Sequence, residues 1–177
     1  MKILIMGLPG SGKTYLAERL QPLLESAWYN ADKVREMAND WDFSPEGRLR
    51  QSMRMRTFAD YEKSHGRIVI CDFVCPTKNT QENFDPDVII WMDTIKEGRF
   101  EDTNKMFERP DNFDVSFTSH DLDAEAKASH IINKFSLHDW SAPTTLMLGR
   151  YQPWHEGHHA LYKEAGKRTD QVLLGVR

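Results

Sequence analysis

Three short stretches are apolar at nearly every position: Lys2–Met6, Arg67–Asp72 and Asp87–Met92. Runs of this length without polar alternation predict strands buried on both faces, as in a parallel sheet. Ala27–Asn30 predicts a shorter strand. Between these runs the period changes to that of a helix. Leu16, Leu20 and Leu23/Leu24 recur one turn apart, and Lys33–Asn39 predicts a short second helix. Ser44 as N-cap and Pro45 at the first helical position open a longer one. Its expected inner face is Leu49, Met53, Thr57 and Tyr61, and Ser64-His65-Gly66 ends it. From Ile95 to Asp121 the pattern dissolves into charged and aromatic residues around Pro110, as in an active-site lid or a plain surface loop. A closing helix is expected over Leu122–Phe135, with Leu122, Ala126, His130/Ile131 and Phe135 in register. Strands alternating with helices through short connections predict an α/β fold, a parallel sheet with helices on both faces.

The pattern then restarts. Residues 138–144, with Ser141 and Pro143, predict a linker after a body spanning 1–137. Over 145–177 come a strand at Thr145–Leu148, a helix ending near Tyr162–Lys167 and a strand at Gln171–Val176. A strand–helix–strand of this size cannot bury enough surface to stand alone. It is expected either to dock as an appendage or to be a shortened piece of a longer bifunctional protein.

The first strand runs into Gly7-Leu8-Pro9-Gly10-Ser11-Gly12-Lys13-Thr14, which fits the phosphate-loop pattern G-x-x-x-x-G-K-[ST]. Glycines there let successive backbone N–H groups turn toward one anion, and the following helix adds its positive end. Lys13 is expected to reach the outer phosphates of ATP, and Thr14 to offer a hydroxyl to Mg²⁺. The expected body is therefore a phosphate-loop NTPase-type sheet. Asp32 follows the second strand, where a carboxylate either caps a helix or faces the ligand crevice. In the second role it orients an attacking hydroxyl and helps hold the metal. Asp72, ending an apolar strand, either begins a turn or handles magnesium. Arg50 and Arg56 read as a solvated face, whereas Arg48 and Arg54 are equally suited to an anionic substrate.

Composition narrows the partners. The 177 residues are 40% hydrophobic and 28% charged, and 23 basic against 27 acidic side chains leave a net charge of −4. That disfavours a broad nucleic-acid surface. No apolar run approaches the roughly 20 residues that span a bilayer. Cys71 and Cys75 are too few for a disulfide framework. A cytoplasmic enzyme acting on a small nucleotide is the expectation, as a homodimer or within a longer polypeptide.

Several of these segments together carry a family resemblance. Gly7–Thr14, then Asn30-Ala31-Asp32-Lys33-Val34-Arg35, then Phe43-Ser44-Pro45-Glu46-Gly47-Arg48-Leu49-Arg50-Gln51, then Phe73-Val74-Cys75-Pro76 resemble the adenylylsulfate (APS) kinases over about the first hundred residues. The resemblance implies transfer of the ATP γ-phosphate to the 3′-hydroxyl of adenosine 5′-phosphosulfate, yielding PAPS and ADP. It implies that Asp32 activates that hydroxyl, that Arg35 and Arg48 grip the phosphosulfate, and that Phe43 stacks on the adenine. Phe73 and Gln51 fall with the acceptor site, Gln51 where the family has asparagine, and Phe117 is matched loosely to a second stacking phenylalanine in the lid. Asn30-Ala31 replaces the family's Asp-Gly, and Cys75 replaces a serine. The lid lacks a clear lysine-rich pattern, with Lys105 its one weak candidate. Rival readings are a kinase for another nucleotide-like or sugar hydroxyl, and an ATP-binding module coupled to a transferase.

In the last segment, Gly149-Arg150-Tyr151-Gln152-Pro153-Trp154-His155-Glu156-Gly157-His158 resembles the HxGH nucleotidyltransferases, closest to the nicotinamide mononucleotide adenylyltransferases. Gly149, His155 and His158 are the residues implied to meet a nucleotide. The unit is too short to close that fold, so no transferase activity of its own is expected.

Overall fold

The structure is a computed structural model, and it describes residues 1–119 and 122–177. The fourteen elements below are those formed by the described residues. β1 (Lys2–Met6), β2 (Ala27–Asn30), β3 (Val69–Asp72), β4 (Val88–Met92) and β5 (Val115–Phe117) form one parallel sheet in the order β2-β3-β1-β4-β5. The helices are α1 (Lys13–Leu24), α2 (Ala31–Ala38), α3 (Pro45–Ser64), α4 (Lys78–Phe84), α5 (Glu101–Met106) and α6 (Ala124–Lys134).

β1 explains why the sheet needs two covers. Ile3 and Ile5 project into one core with Leu16, Leu20 and Leu24 of α1 and Ala128, Ile131 and Ile132 of α6. Leu4 and Met6 project into a second core with Val34 of α2, Met55 and Ala59 of α3 and Phe84 of α4. Side chains alternate across a strand, so a strand buried on both faces must be apolar throughout. The expected fold class, a parallel sheet covered on both faces, is the observed one. Even Lys2 is buried, its ammonium held by Asp60 at 2.6 Å and the Phe84 carbonyl at 3.1 Å.

Four local expectations need correction. The inner face of α3 is Gly47, Gln51, Ser52, Met55, Ala59 and Glu62, while Met53 and Tyr61 are exposed. Polar residues can occupy that inner face because each finds a partner: Gln51 bonds the Ala31 carbonyl, Ser52 that of Thr80, and Glu62 the Tyr29 hydroxyl. The closing helix starts at Ala124 with Asp123 as its N-cap, leaving Leu122 exposed. The expected featureless stretch contains α5 and β5; its last two residues, 120 and 121, lie outside the described ones. Between β3 and β4 the structure adds α4, started by a reciprocal capping box between Thr77 and Thr80.

Beyond the linker, β6 (Thr145–Gly149), α7 (Glu156–Thr169) and β7 (Val172–Val176) make a separate two-stranded parallel sheet with its crossover helix. Gln171 ties this unit to the linker through the carbonyls of Asp139 and Ala142, and the Trp140 amide ties the linker to the Leu23 carbonyl at the end of α1.

Candidate active site

The carboxyl ends of β1, β2 and β3 converge on the phosphate loop. Gly7, Gly10 and Gly12 all have positive φ. At Gly7 a Cβ would lie 2.4 Å from the Met92 carbonyl oxygen, so only glycine lets the loop pass β4. Gly12 is the N-cap of α1 and carries no side chain to cap it, which leaves the first-turn N–H groups facing outward for an anion. Lys13 is nearly buried, its ammonium donating to the Leu8 carbonyl at 2.9 Å. Burial pulls its pKa down to about 8 against the opposing pull of Asp72 and Asp32.

Thr14 Oγ donates to Asp72 Oδ2 at 2.7 Å, joining the start of α1 to the end of β3. Asp72 also accepts from the Trp28 indole at 2.7 Å and from Asn30 Nδ2 at 2.9 Å. Burial raises its pKa, and the three donors and Lys13 oppose that shift. Asn30 is bifunctional. Its Oδ1 caps α2 by accepting from the Asp32 and Lys33 amides. The cap of α2 is therefore Asn30, and Asp32 sits exposed in the first helical turn at the cavity wall.

A cavity of about 850 Å³ opens from this point. The phosphate loop contributes Pro9, Gly10, Gly12, Lys13 and Thr14, while Gly7, Leu8 and Ser11 form its frame and do not line it. Asp32, Arg35, Phe43, Arg48 and Gln51 line its far side, and Asp72 and Phe73 its floor. Arg35 is buried, donating to the Asp40 and Asp42 carbonyls at 2.9 Å each, with its guanidinium 4.6 Å from the Phe43 ring centre. Arg48 donates to the Phe43 carbonyl at 2.8 Å and to Asp102 Oδ2 at 2.9 Å.

Two expected participants are elsewhere. Phe117 belongs to β5, where it is buried edge-on to His130 with centroids 6.0 Å apart and does not reach the cavity. The reason is the alternation Val115-Ser116-Phe117, which turns both apolar side chains into the core. Arg54 pairs with Asp40 at 2.9 Å and with the Gln51 side-chain oxygen, fastening α3 to the preceding loop. Gly149, His155 and His158 lie in the C-terminal unit, where the two imidazoles stack 3.8 Å apart at the start of α7.

The structure adds residues that local sequence does not reveal. Trp41, Arg99, Phe100, Asp102 and Thr103 line the cavity, and Trp28 holds Asp72 from behind. Only Asn30 had a legible signal, an Asn immediately before a helix.

Residues 1–88 match the sequence model of a family described as adenylylsulphate kinase. The N-terminal half of this chain looks like an adenylylsulphate kinase. A protein of Aeropyrum pernix named as a probable adenylyl-sulfate kinase is 38% identical over 86 residues, 44% of this chain. The alignment spans 45% of that protein, somewhat under half its length. Among solved structures, the APS kinase CysC of Mycobacterium tuberculosis, in complex with AMPPNP and APS, superimposes with a TM-score of 0.63 at 20% identity. It covers 76% of this chain and 96% of that one. An unliganded sugar kinase from Janibacter gives 0.62 at 15% identity, over 77% and 94% of the two chains. Likeness at these identities shows the fold alone, a parallel α/β sheet with helices on both faces. The phosphate loop, Asp32, Arg35, Arg48 and Asp72 all lie within the segment matched to the adenylylsulphate kinases.

Proposed function

We propose that this chain is an ATP-dependent kinase that transfers the γ-phosphate to the 3′-hydroxyl of adenosine 5′-phosphosulfate, giving PAPS and ADP. The observation that carries the reading is one cavity joining the phosphate loop to Asp32, Phe43 and Arg48. In this reading the loop amides and Lys13 hold the ATP phosphates, so that charge moving during transfer meets donors already in place. Asp32 accepts the proton of the acceptor hydroxyl. Phe43 offers a ring face to the adenine, and Arg35 braces Phe43.

The oxygen donors of Thr14, Asp72 and Asp32 suit a hard cation that takes its remaining ligands from phosphate and water. Bound there, Mg²⁺ would neutralise phosphate charge. A soluble cytoplasmic enzyme goes with this reading; among the described residues no helix is long and apolar enough to cross a membrane.

The test is ADP release by the purified chain with Mg-ATP, with and without APS. APS-dependent release is expected. Release that ignores APS and responds instead to a neutral sugar overturns the acceptor assignment. We read the C-terminal unit as a partial relative of the HxGH nucleotidyltransferases without activity of its own, a reading supported by the paired imidazoles at a helix start. Nucleotide transfer to nicotinamide mononucleotide by this chain would overturn it.

A further inference from the structure

The acceptor side of the cavity already contains an anion, and it comes from the chain itself. Arg48 Nη2 donates to Asp102 Oδ2 at 2.9 Å and to Thr103 Oγ at 3.2 Å. The two partners differ in depth: the Arg48 side chain is 11% exposed, that of Asp102 67%. The guanidinium is thus part of the cavity wall, and the carboxylate reaches it from the solvent side. Arg35 differs, because its partners are backbone carbonyls of the loop between α2 and α3. No acceptor can displace those without remaking the loop.

Asp102 sits on a separable element. α5 is six residues long, and Thr103 is its buried position. It is also held away from α3. On one side its own Asn104 exchanges hydrogen bonds at 2.9 Å with Gly98, beside Pro9 of the phosphate loop. On the other the Glu108 amide donates to the Pro76 carbonyl at 2.7 Å, and Lys78 pairs with Asp111. Between these anchors α5 is fastened across the cavity to α3 through the Arg48 fork.

We propose that Asp102 is an internal stand-in for the acceptor's anionic group, so that the acceptor takes the Arg48 fork from Asp102 and frees α5 from α3 as it binds. The exchange works because one charge-assisted bond replaces another. Stripping Asp102 away without replacement would leave a recessed guanidinium with only the neutral Phe43 carbonyl and no counter-charge, whereas the exposed carboxylate is readily rehydrated. A neutral acceptor of similar shape brings no replacement and is disfavoured. Asp102 thereby becomes a specificity-determining residue that selects for negative charge. Only the identity of the acceptor, not the exchange itself, rests on the kinase reading above.

The test compares the full chain with Asp102→Asn, Arg48→Ala and the double variant. Amide hydrogen exchange of residues 101–106 reports the latch, and calorimetry with APS in the presence of Mg-AMPPNP reports the acceptor. Asp102→Asn is expected to tighten APS about tenfold and to raise α5 exchange about fivefold without ligand. Saturating APS, or inorganic sulfate at tens of millimolar, should bring wild-type α5 to the exchange rate of the variant. In the Arg48→Ala background Asp102→Asn should change nothing further. Unaltered α5 exchange and APS affinity in Asp102→Asn, or weaker APS binding, overturn the latch; if Arg48→Ala still weakens APS, the acceptor reading survives. Release of α5 by Asp102→Asn and by sulfate, with no APS binding to any variant, upholds the exchange and overturns the acceptor reading instead.

Discussion

The body and the C-terminal unit both use parallel strands and a crossover helix, yet they bury very different amounts of what they carry. In the body, β1 has Ile3, Leu4, Ile5 and Met6 fully covered, because helices lie on both faces of its sheet. In the C-terminal unit one helix serves two strands. Met147 and Ala165 are buried there, while Leu148 is 72% and Val176 60% exposed. Equal local patterns therefore do not mean equal stability. A strand's apolar residues contribute once another layer removes them from water, and the second unit has one covering layer where the body has two.

The same contrast holds for polar groups. The donors around Asp72 converge from two other elements: Thr14 from α1, Trp28 and Asn30 from β2. In the C-terminal unit His155 caps its own helix by accepting from the Gly157 amide, and His158 Nδ1 is buried with no partner among the described residues. One region has converging elements around its polar cluster; the other has a single loop and a helix end.

Four measurements test the contrast between the two regions. The largest effect is expected for Asp32→Asn, which should lower APS-dependent ADP release about a thousandfold while Mg-ATP affinity stays within about threefold. An equal loss of nucleotide binding would mean that Asp32 only shapes the site. Next comes stability. Ile5→Ala should cost about 2–5 kcal/mol in urea unfolding, and Leu148→Ala less than about 0.5 kcal/mol. A large effect at Leu148 would show that its face is covered in solution.

A smaller, pH-dependent effect is expected at Asp40. Hydrogen bonds from Arg50 and Arg54 hold its carboxyl well below the usual range. A carboxylate with a depressed folded-state pKa adds stability that is present above its unfolded pKa and lost as pH falls toward its folded one. Asp40→Asn should thus be slightly destabilising at neutral pH, and its deficit should close in acid; a deficit that is constant with pH would exclude the ion pairs as its cause. The smallest effect is expected from removing residues 145–177, which should leave kcat and the melting temperature of the body almost unchanged. A clear loss of either would show that the second unit supports the first.

The elements outran their register in legibility. The β1 strand, phosphate loop and α1 could be read from residues 2–24 because every constraint on them is local: burial on two faces, backbone turns and helical spacing. The face of α3 could not. Its four-residue series starting at Leu49 is as regular as the true one, and the neighbours of Gln51, Ser52 and Glu62 decide which is turned inward. Phe117 failed for a related reason: three residues of alternation are too few to distinguish a strand from a lid, and pairing with β4 decides it.

Spacing along the chain was enough for the phosphate loop, the α/β order and Asp32 beside the loop, and the resemblance to the adenylylsulfate kinases implied Arg35, Phe43 and Arg48. What each charge meets was settled only in three dimensions. Asp102 lies 54 residues from Arg48 and Trp28 lies 44 from Asp72. No periodicity encodes such pairs; they exist because the sheet brings strand ends together and a short helix crosses the opening between them.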